Sequence, residues 1–207
     1  MAKTVHIIGN GDWVHLYTRK ERKGLNLTCN LAPFPYPKNH YATCIVDFKF
    51  MNVLTKGEVT VPGDWILGYR PKIWMEKNPQ FHMQKAGQVK EFYLDLPKYA
   101  VNYTNWSCGH MAVHYAANKL KADKIHMYGF DSIFDFNLRS VSDFILNSDR
   151  ENMNTNRLAN NWRPIWTGMW KEFENTEFIL HHVHDDFKVP HGDNVRAEVY
   201  PKKITSS

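Results

Sequence analysis

Short apolar runs, each ending at a turn residue, recur along the chain and dictate what it can fold into. Thr4-Val5-His6-Ile7-Ile8 runs straight into Gly9-Asn10-Gly11-Asp12. Leu25-Asn26-Leu27-Thr28-Cys29 meets Asn30, Ala42-Thr43-Cys44-Ile45-Val46 meets Asp47, and Lys124-Ile125-His126-Met127-Tyr128 meets Gly129-Phe130-Asp131. Such runs read as buried strands. Between them lie stretches with helical spacing. Strands alternating with helices imply a mostly parallel central sheet with helices on both faces, an α/β, Rossmann-like architecture.

Local signals fill in the rest. Trp13 to Arg22 reads as a first helix with a basic end, stopped by Gly24. Residues 33–37 form a proline-rich loop, and 51–56 one or two helical turns closed by Gly57. Residues 65–69 read as a fourth strand before Pro71, and 78–103 as mostly loop with a short strand near 92–94. Ser107 to Lys121 sets Val113, Ala116, Ala117 and Leu120 on one helical face, with small residues suited to close packing on a sheet. A long helix from about residue 155 carries Leu158, Trp162, Ile165, Trp166, Met169, Trp170 and Phe173, with Pro164 marking a kink or a new first turn. Residues 177–184 form a last core strand. The reading is one domain over residues 1–190, followed by a polar, loosely held tail over 191–207.

Composition narrows the function classes. The 207 residues can bury a sizeable core, and the aromatic share of 14% serves that core first. A net charge of +5 favours anionic partners such as nucleotides, phosphorylated sugars or nucleic acid. The basic residues are dispersed apart from Arg19-Lys20-Glu21-Arg22-Lys23. Cys29, Cys44 and Cys108 fit neither a zinc pattern nor a disulfide framework, and read as reduced buried thiols. With no signal-peptide pattern and no apolar run long enough to span a bilayer, the expectation is a cytoplasmic protein with no membrane span.

In parallel sheets ligands bind outside the strands' carboxyl ends, where the strand order reverses. That rule gathers Gly9-Asn10-Gly11, Asn30, Asp47 and Gly129-Phe130-Asp131 at one edge. The Ser107-Cys108-Gly109 turn brings the positive end of the small-residue helix there. Two glycines after the first strand allow a ligand close to the backbone, with N–H groups free to face phosphate. The alternative is a tight turn without a ligand. Asp47 and Lys49, facing the same side if their strand persists, suit a ribose and a phosphate; a plain ion pair fits equally. Cys108 sits near a helix start, where a thiolate is favoured.

These residues resemble a known family. The strand into Gly9-Asn10-Gly11, then Cys29-Asn30, is similar to the start of the bacterial sialyltransferases of glycosyltransferase family 42. Ser107-Cys108-Gly109-His110-Met111-Ala112-Val113, followed by Lys124-Ile125-His126-Met127-Tyr128-Gly129-Phe130-Asp131, resembles their Thr-Ser-Gly helix and Ile-Tyr-Leu-x-Gly-x-Asp strand. A related pattern occurs in the domains of unknown function that accompany flagellin glycosylation and in archaeal pterin pyrophosphokinases. The resemblance implies a sialyltransferase-like fold binding a cytidine-monophosphate sugar donor across the strand ends, with no metal or other cofactor required. It implies that Gly9, Asn10 and Gly11 contact the donor's phosphate and ribose, and that Asn30 binds polar groups of donor or sugar. Ser107, Cys108 and Gly109 would cradle the sugar carboxylate or nucleotide, with Asp131 ordering the loop after its strand.

The chain departs from that family at several points. Asp12-Trp13 replaces Pro-Ser after the first turn, and Asn105-Trp106 stands where an arginine is expected. Residues 132–136 lack the family's tyrosines, and no histidine occurs between His126 and His181. A base must then come from elsewhere. His182 and His184, on one face of a strand with Asp185 and Asp186 beside them, are the candidates, with His181 facing away. The same His-x-His pair also suits a divalent metal or a purely structural role. His110 and His114 share a helical face and read first as structural. Arg157 and Arg163 suit an anionic substrate, and the Trp162, Trp166 and Trp170 series suits the core. The expected activity is glycosyltransferase-like, acting on a small-molecule nucleotide-sugar and an acceptor. The competing readings are a non-catalytic nucleotide binder and a basic nucleic-acid-associated protein.

Overall fold

The structure, a computed structural model, describes residues 2–19, 22–134 and 158–202. Eight strands form one all-parallel sheet: β1 (Thr4–Ile8), β2 (Leu25–Cys29), β3 (His40–Ile45), β4 (Trp65–Leu67), β5 (Val89–Phe92), β6 (Lys124–Tyr128), β7 (Glu177–His182) and β8 (Val195–Val199). Their order is β5-β4-β3-β2-β1-β6-β7-β8. The chain builds outward from β1 to β5, then returns to add β6 on the other flank of β1. The order therefore reverses between β1 and β6.

Alternation along each strand assigns the faces. Val5, Ile7, Leu27, Cys29, Ile125, Met127, Phe178 and Leu180 pack beneath α4 (Cys108–Asn118) and α5 (Arg163–Glu172). On the other face, Ile45, Trp65 and Leu67 meet α1 (Phe48–Thr55), α2 (Tyr69–Lys77) and α3 (Pro79–Lys85). Ile8 and Tyr128 on that face are covered by the 3-10 turn Val14–Arg19. Helices thus cover both faces, as the alternating pattern predicts.

Local chemistry explains α4 and α5. Ser107 Oγ accepts the His110 amide at 3.2 Å, and His110 Nδ1 accepts the Ser107 amide at 3.0 Å, a reciprocal cap. Ala112 and Ala116 let α4 lie close on the sheet. Pro164 occupies the first turn of α5, where its missing N–H costs nothing; a π-helical turn over Leu158–Trp162 precedes it.

Four expectations need correction. The first helix is only a 3-10 turn within the described residues. Tyr69 opens α2 rather than closing β4, because the strand ends at Leu67. Residues 78–103 contain α3 as well as β5 and a 3-10 turn at Lys98–Ala100. Within the expected tail, Val195–Val199 is a strand that pairs with β7 along its length, from Phe178↔Val195 to His182↔Val199. Arg196 and Glu198 face outward there and pair with Glu177 and each other, the polar pattern of an edge strand. Among the described residues, no helix is long and apolar enough to cross a membrane.

Candidate functional site

The turns after β1 and β6 meet where the order reverses. Gly9 N–H donates to Tyr128 O and Gly11 N–H to Gly129 O, both at 2.7 Å. A Cβ at Gly9 would lie 2.8 Å from Gly129 O, and one at Gly11 would lie 2.1 Å from Asp131 Oδ2. Both glycines therefore serve the junction of the two strands. Their amides are engaged within the protein and do not face a phosphate.

Asp131, only 3% exposed, is the centre of this junction. Its Oδ2 accepts the Trp13 amide at 3.1 Å, and its Oδ1 lies 2.8 Å from His184 Nε2. The carboxylate fixes the His184 proton on Nε2 and leaves Nδ1 as the lone-pair nitrogen. His184 Nδ1 has no hydrogen-bond partner among the described residues. A carboxylate-oriented imidazole of this kind can take a proton from a hydroxyl.

His182 differs from its neighbour. Its Nδ1 accepts the His184 amide at 3.0 Å, so the proton sits on Nε2, which is buried without a partner among the described residues. Burial, then the nearby His184, pushes its pKa down to about 4, against the pull of Asp131. With its Nδ1 lone pair engaged by a backbone amide, His182 is placed differently from His184, with which the sequence paired it. Phe134 stacks on both, with centroids 3.9 Å from His182 and 5.2 Å from His184. Nothing in the sequence marked Phe134, because the contact depends on how the loop after β6 folds back.

His181 does face away. Its Nε2 lies 2.8 Å from His126 Nδ1 and its Nδ1 2.8 Å from Tyr200 OH, while Tyr128 stacks on its ring. Burial and then the neighbouring imidazoles push His181 to about 3 and His126 to about 4.

A second group sits at the ends of β2 and β3. Asn10 Nδ2 donates to Cys29 O at 2.8 Å, and its Oδ1 accepts Asn30 Nδ2 at 3.1 Å. Asn30 adopts φ of 54°, and its buried Oδ1 has no partner among the described residues. The Cys44 carbonyl accepts both the Asn30 amide at 3.0 Å and the Cys108 thiol at 2.8 Å, tying the N-terminus of α4 to this edge. Burial raises the Cys108 pKa well above the usual thiol value, so the helix start does not hold a thiolate. All three cysteines are free and buried. Gly109 packs on Phe130, where a Cβ would lie 2.7 Å from Cε1. Ser107, Cys108, Asn10, Asn30 and Asp131 thus share the carboxyl edge of the sheet.

Asp47 precedes α1 and pairs with Arg70 at 3.1 Å. Lys49 lies within α1, because β3 ends at Ile45, so the shared strand face expected for Asp47 and Lys49 does not exist. Arg70 escaped notice because its partner is 23 residues away across two elements. His110 is held by the Ser107 cap, and His114 by Tyr93 OH at 2.6 Å and Glu172 at 3.0 Å; both are structural. Trp166 and Trp170 are core residues. Arg163 donates to Phe134 O at 3.3 Å, and Arg157 lies outside the described residues. Asp185 and Asp186 pair with Lys202 and Lys188. Among the described residues, no group of three or more His, Cys, Asp or Glu side chains is placed to hold a metal ion.

Comparison of the chain with protein-family models, curated proteins and solved structures returned no match.

Proposed function

We propose that this protein is a group-transfer enzyme that holds a nucleotide-activated sugar along the carboxyl edge of its sheet and deprotonates an acceptor hydroxyl with His184. The observation that carries this reading is the 2.8 Å contact between His184 Nε2 and buried Asp131 at the strand-order reversal. It supplies the orienting carboxylate and the lone pair that a transferase base needs. The phosphate falls to the N-terminus of α4, whose first turn carries no acidic residue. The polar groups of the sugar fall to the Asn10–Asn30 pair, whose orphaned Oδ1 accepts a hydroxyl. His182, neutral and with an N–H that has no partner among the described residues, offers a donor beside the base.

The resemblance to family 42 favours a cytidine-monophosphate sugar as the donor. Because the Gly9 and Gly11 amides are engaged, a binder that holds nucleotide without turnover is the second reading. Incubation with CMP-, UDP- and GDP-sugars, followed by phosphorus NMR, separates the two. Release of free nucleotide by the wild-type protein and its loss in His184→Gln support transfer. Binding without release in both proteins rejects it.

A further inference from the structure

The proposed site leaves one feature of the same edge unused. Phe48 and Tyr69, 40% and 41% exposed, are the two exposed Phe, Tyr or Trp rings among the described residues. They open α1 and α2, at the carboxyl ends of β3 and β4. The Asp47–Arg70 ion pair, at 3.1 Å, joins the two helix starts. Tyr103, anchored through its hydroxyl to Leu94 O at 2.6 Å, stacks on one face of Tyr69 with centroids 4.3 Å apart and planes 17° apart. The Tyr69 ring is thereby held flat and still presents surface to solvent.

We infer that Tyr69, backed by Tyr103 and bordered by the Asp47–Arg70 pair, is a seat for the flat heteroaromatic base of a nucleotide. This rests on the nucleotide reading above and adds where the base lies. A ring already stacked on one side offers its other face to a base at little ordering cost. Asp47 Oδ2 and the remaining guanidinium N–H groups of Arg70 supply an acceptor and donors for a base edge. Continuity with the phosphate end is close. Cys108, at the start of α4, is tied to the end of β3, and Gly68 abuts Met111 of α4, with a built Cβ 3.1 Å from Sδ. β4 neighbours β3 in the sheet, so the proposed seat and the start of α4 border the same stretch of its carboxyl edge.

The test is calorimetric titration of CMP, UMP, AMP, GMP and ribose 5-phosphate into the wild-type protein, Tyr69→Ala and Tyr69→Phe. Base stacking on an aromatic side chain changes affinity by about 5- to 150-fold. The expected result is that at least one nucleotide binds the wild type about tenfold or more tighter than ribose 5-phosphate. Tyr69→Ala should remove that margin without weakening ribose 5-phosphate, and Tyr69→Phe should keep it. A nucleotide bound equally well by wild type and Tyr69→Ala overturns the seat and leaves the nucleotide reading standing. No binding of any nucleotide or of ribose 5-phosphate overturns both.

Discussion

Gly11 and Asp131 compete for the same space: a Cβ on the glycine would fall 2.1 Å from the carboxylate Oδ2 and 2.6 Å from Gly129 O. The carboxylate cannot swing aside without releasing the Trp13 amide or His184. Gly11→Ala should therefore cost about 2 kcal/mol or more, since overpacking a rigid site costs about 1–3 kcal/mol and a bond is lost as well. Gly57→Ala is the comparison. Its φ is +74° but nothing lies within 4 Å of the new atom, so it should cost only about 1–2 kcal/mol. Urea midpoints of the two variants decide between them.

Asp131→Asn should leave donor affinity within a few-fold while lowering turnover by about a hundredfold or more. An amide can donate to His184 Nε2 and so free the imidazole to adopt the wrong tautomer. Turnover measured against pH and donor concentration checks this. A large rise in KM with kcat unchanged would place Asp131 in binding instead.

Stability should fall steeply in mild acid. His110, His126, His181 and His182 are pushed by burial to about 3, 4, 3 and 4. Between pH 6.5 and about 4 the unfolded chain takes up protons that the folded chain refuses, so folding is disfavoured as pH drops through that window. Each fully buried imidazole contributes up to about 1.4 kcal/mol per pH unit. Thermal midpoints from pH 7.5 to 4.5 should decline most below pH 6.5. A His126→Gln, His181→Gln variant should show a shallower slope.

Tyr93→Phe should destabilise by about 1–3 kcal/mol, because it strands His114 Nδ1 in the interior and takes one of two acceptors from the Asn118 amide, which keeps Asp95. The phenol is one link between α4 and the chain after β5, and Glu172 fixes the far side of the same imidazole. Denaturant unfolding of Tyr93→Phe beside Glu172→Gln measures both halves of the relay.

How much the sequence disclosed follows from the range of each interaction. β1, β2, β3, β6 and β7 were legible because they lie in the sheet's interior, where both faces demand apolar residues. α2 and α3 were not, since Met75, Pro71 and Phe81 are their only buried residues, too few to mark a face. β8 was missed for a related reason: an edge strand carrying Arg196 and Glu198 looks like solvated chain until its partner is known. At the site, the residues at the strand ends were found by topology alone. Their roles were not, because whether Gly11 N–H meets a ligand or Gly129 O depends on a partner 118 residues away. His184 and His182 look interchangeable in sequence; the Asp131 contact of the first and the amide that occupies Nδ1 of the second distinguish them.

The placement of β1 has a consequence for how the chain is made. Val5 registers with Leu25 on one flank and with Ile125 on the other. During synthesis, β1 through β5 can assemble while the second edge of β1 still waits for residues 124–128 to leave the ribosome. For that interval the nascent chain displays an unzipped, apolar edge, the kind of surface that invites chaperones and misassembly. Slow translation before residue 124 should therefore lower the yield of folded protein.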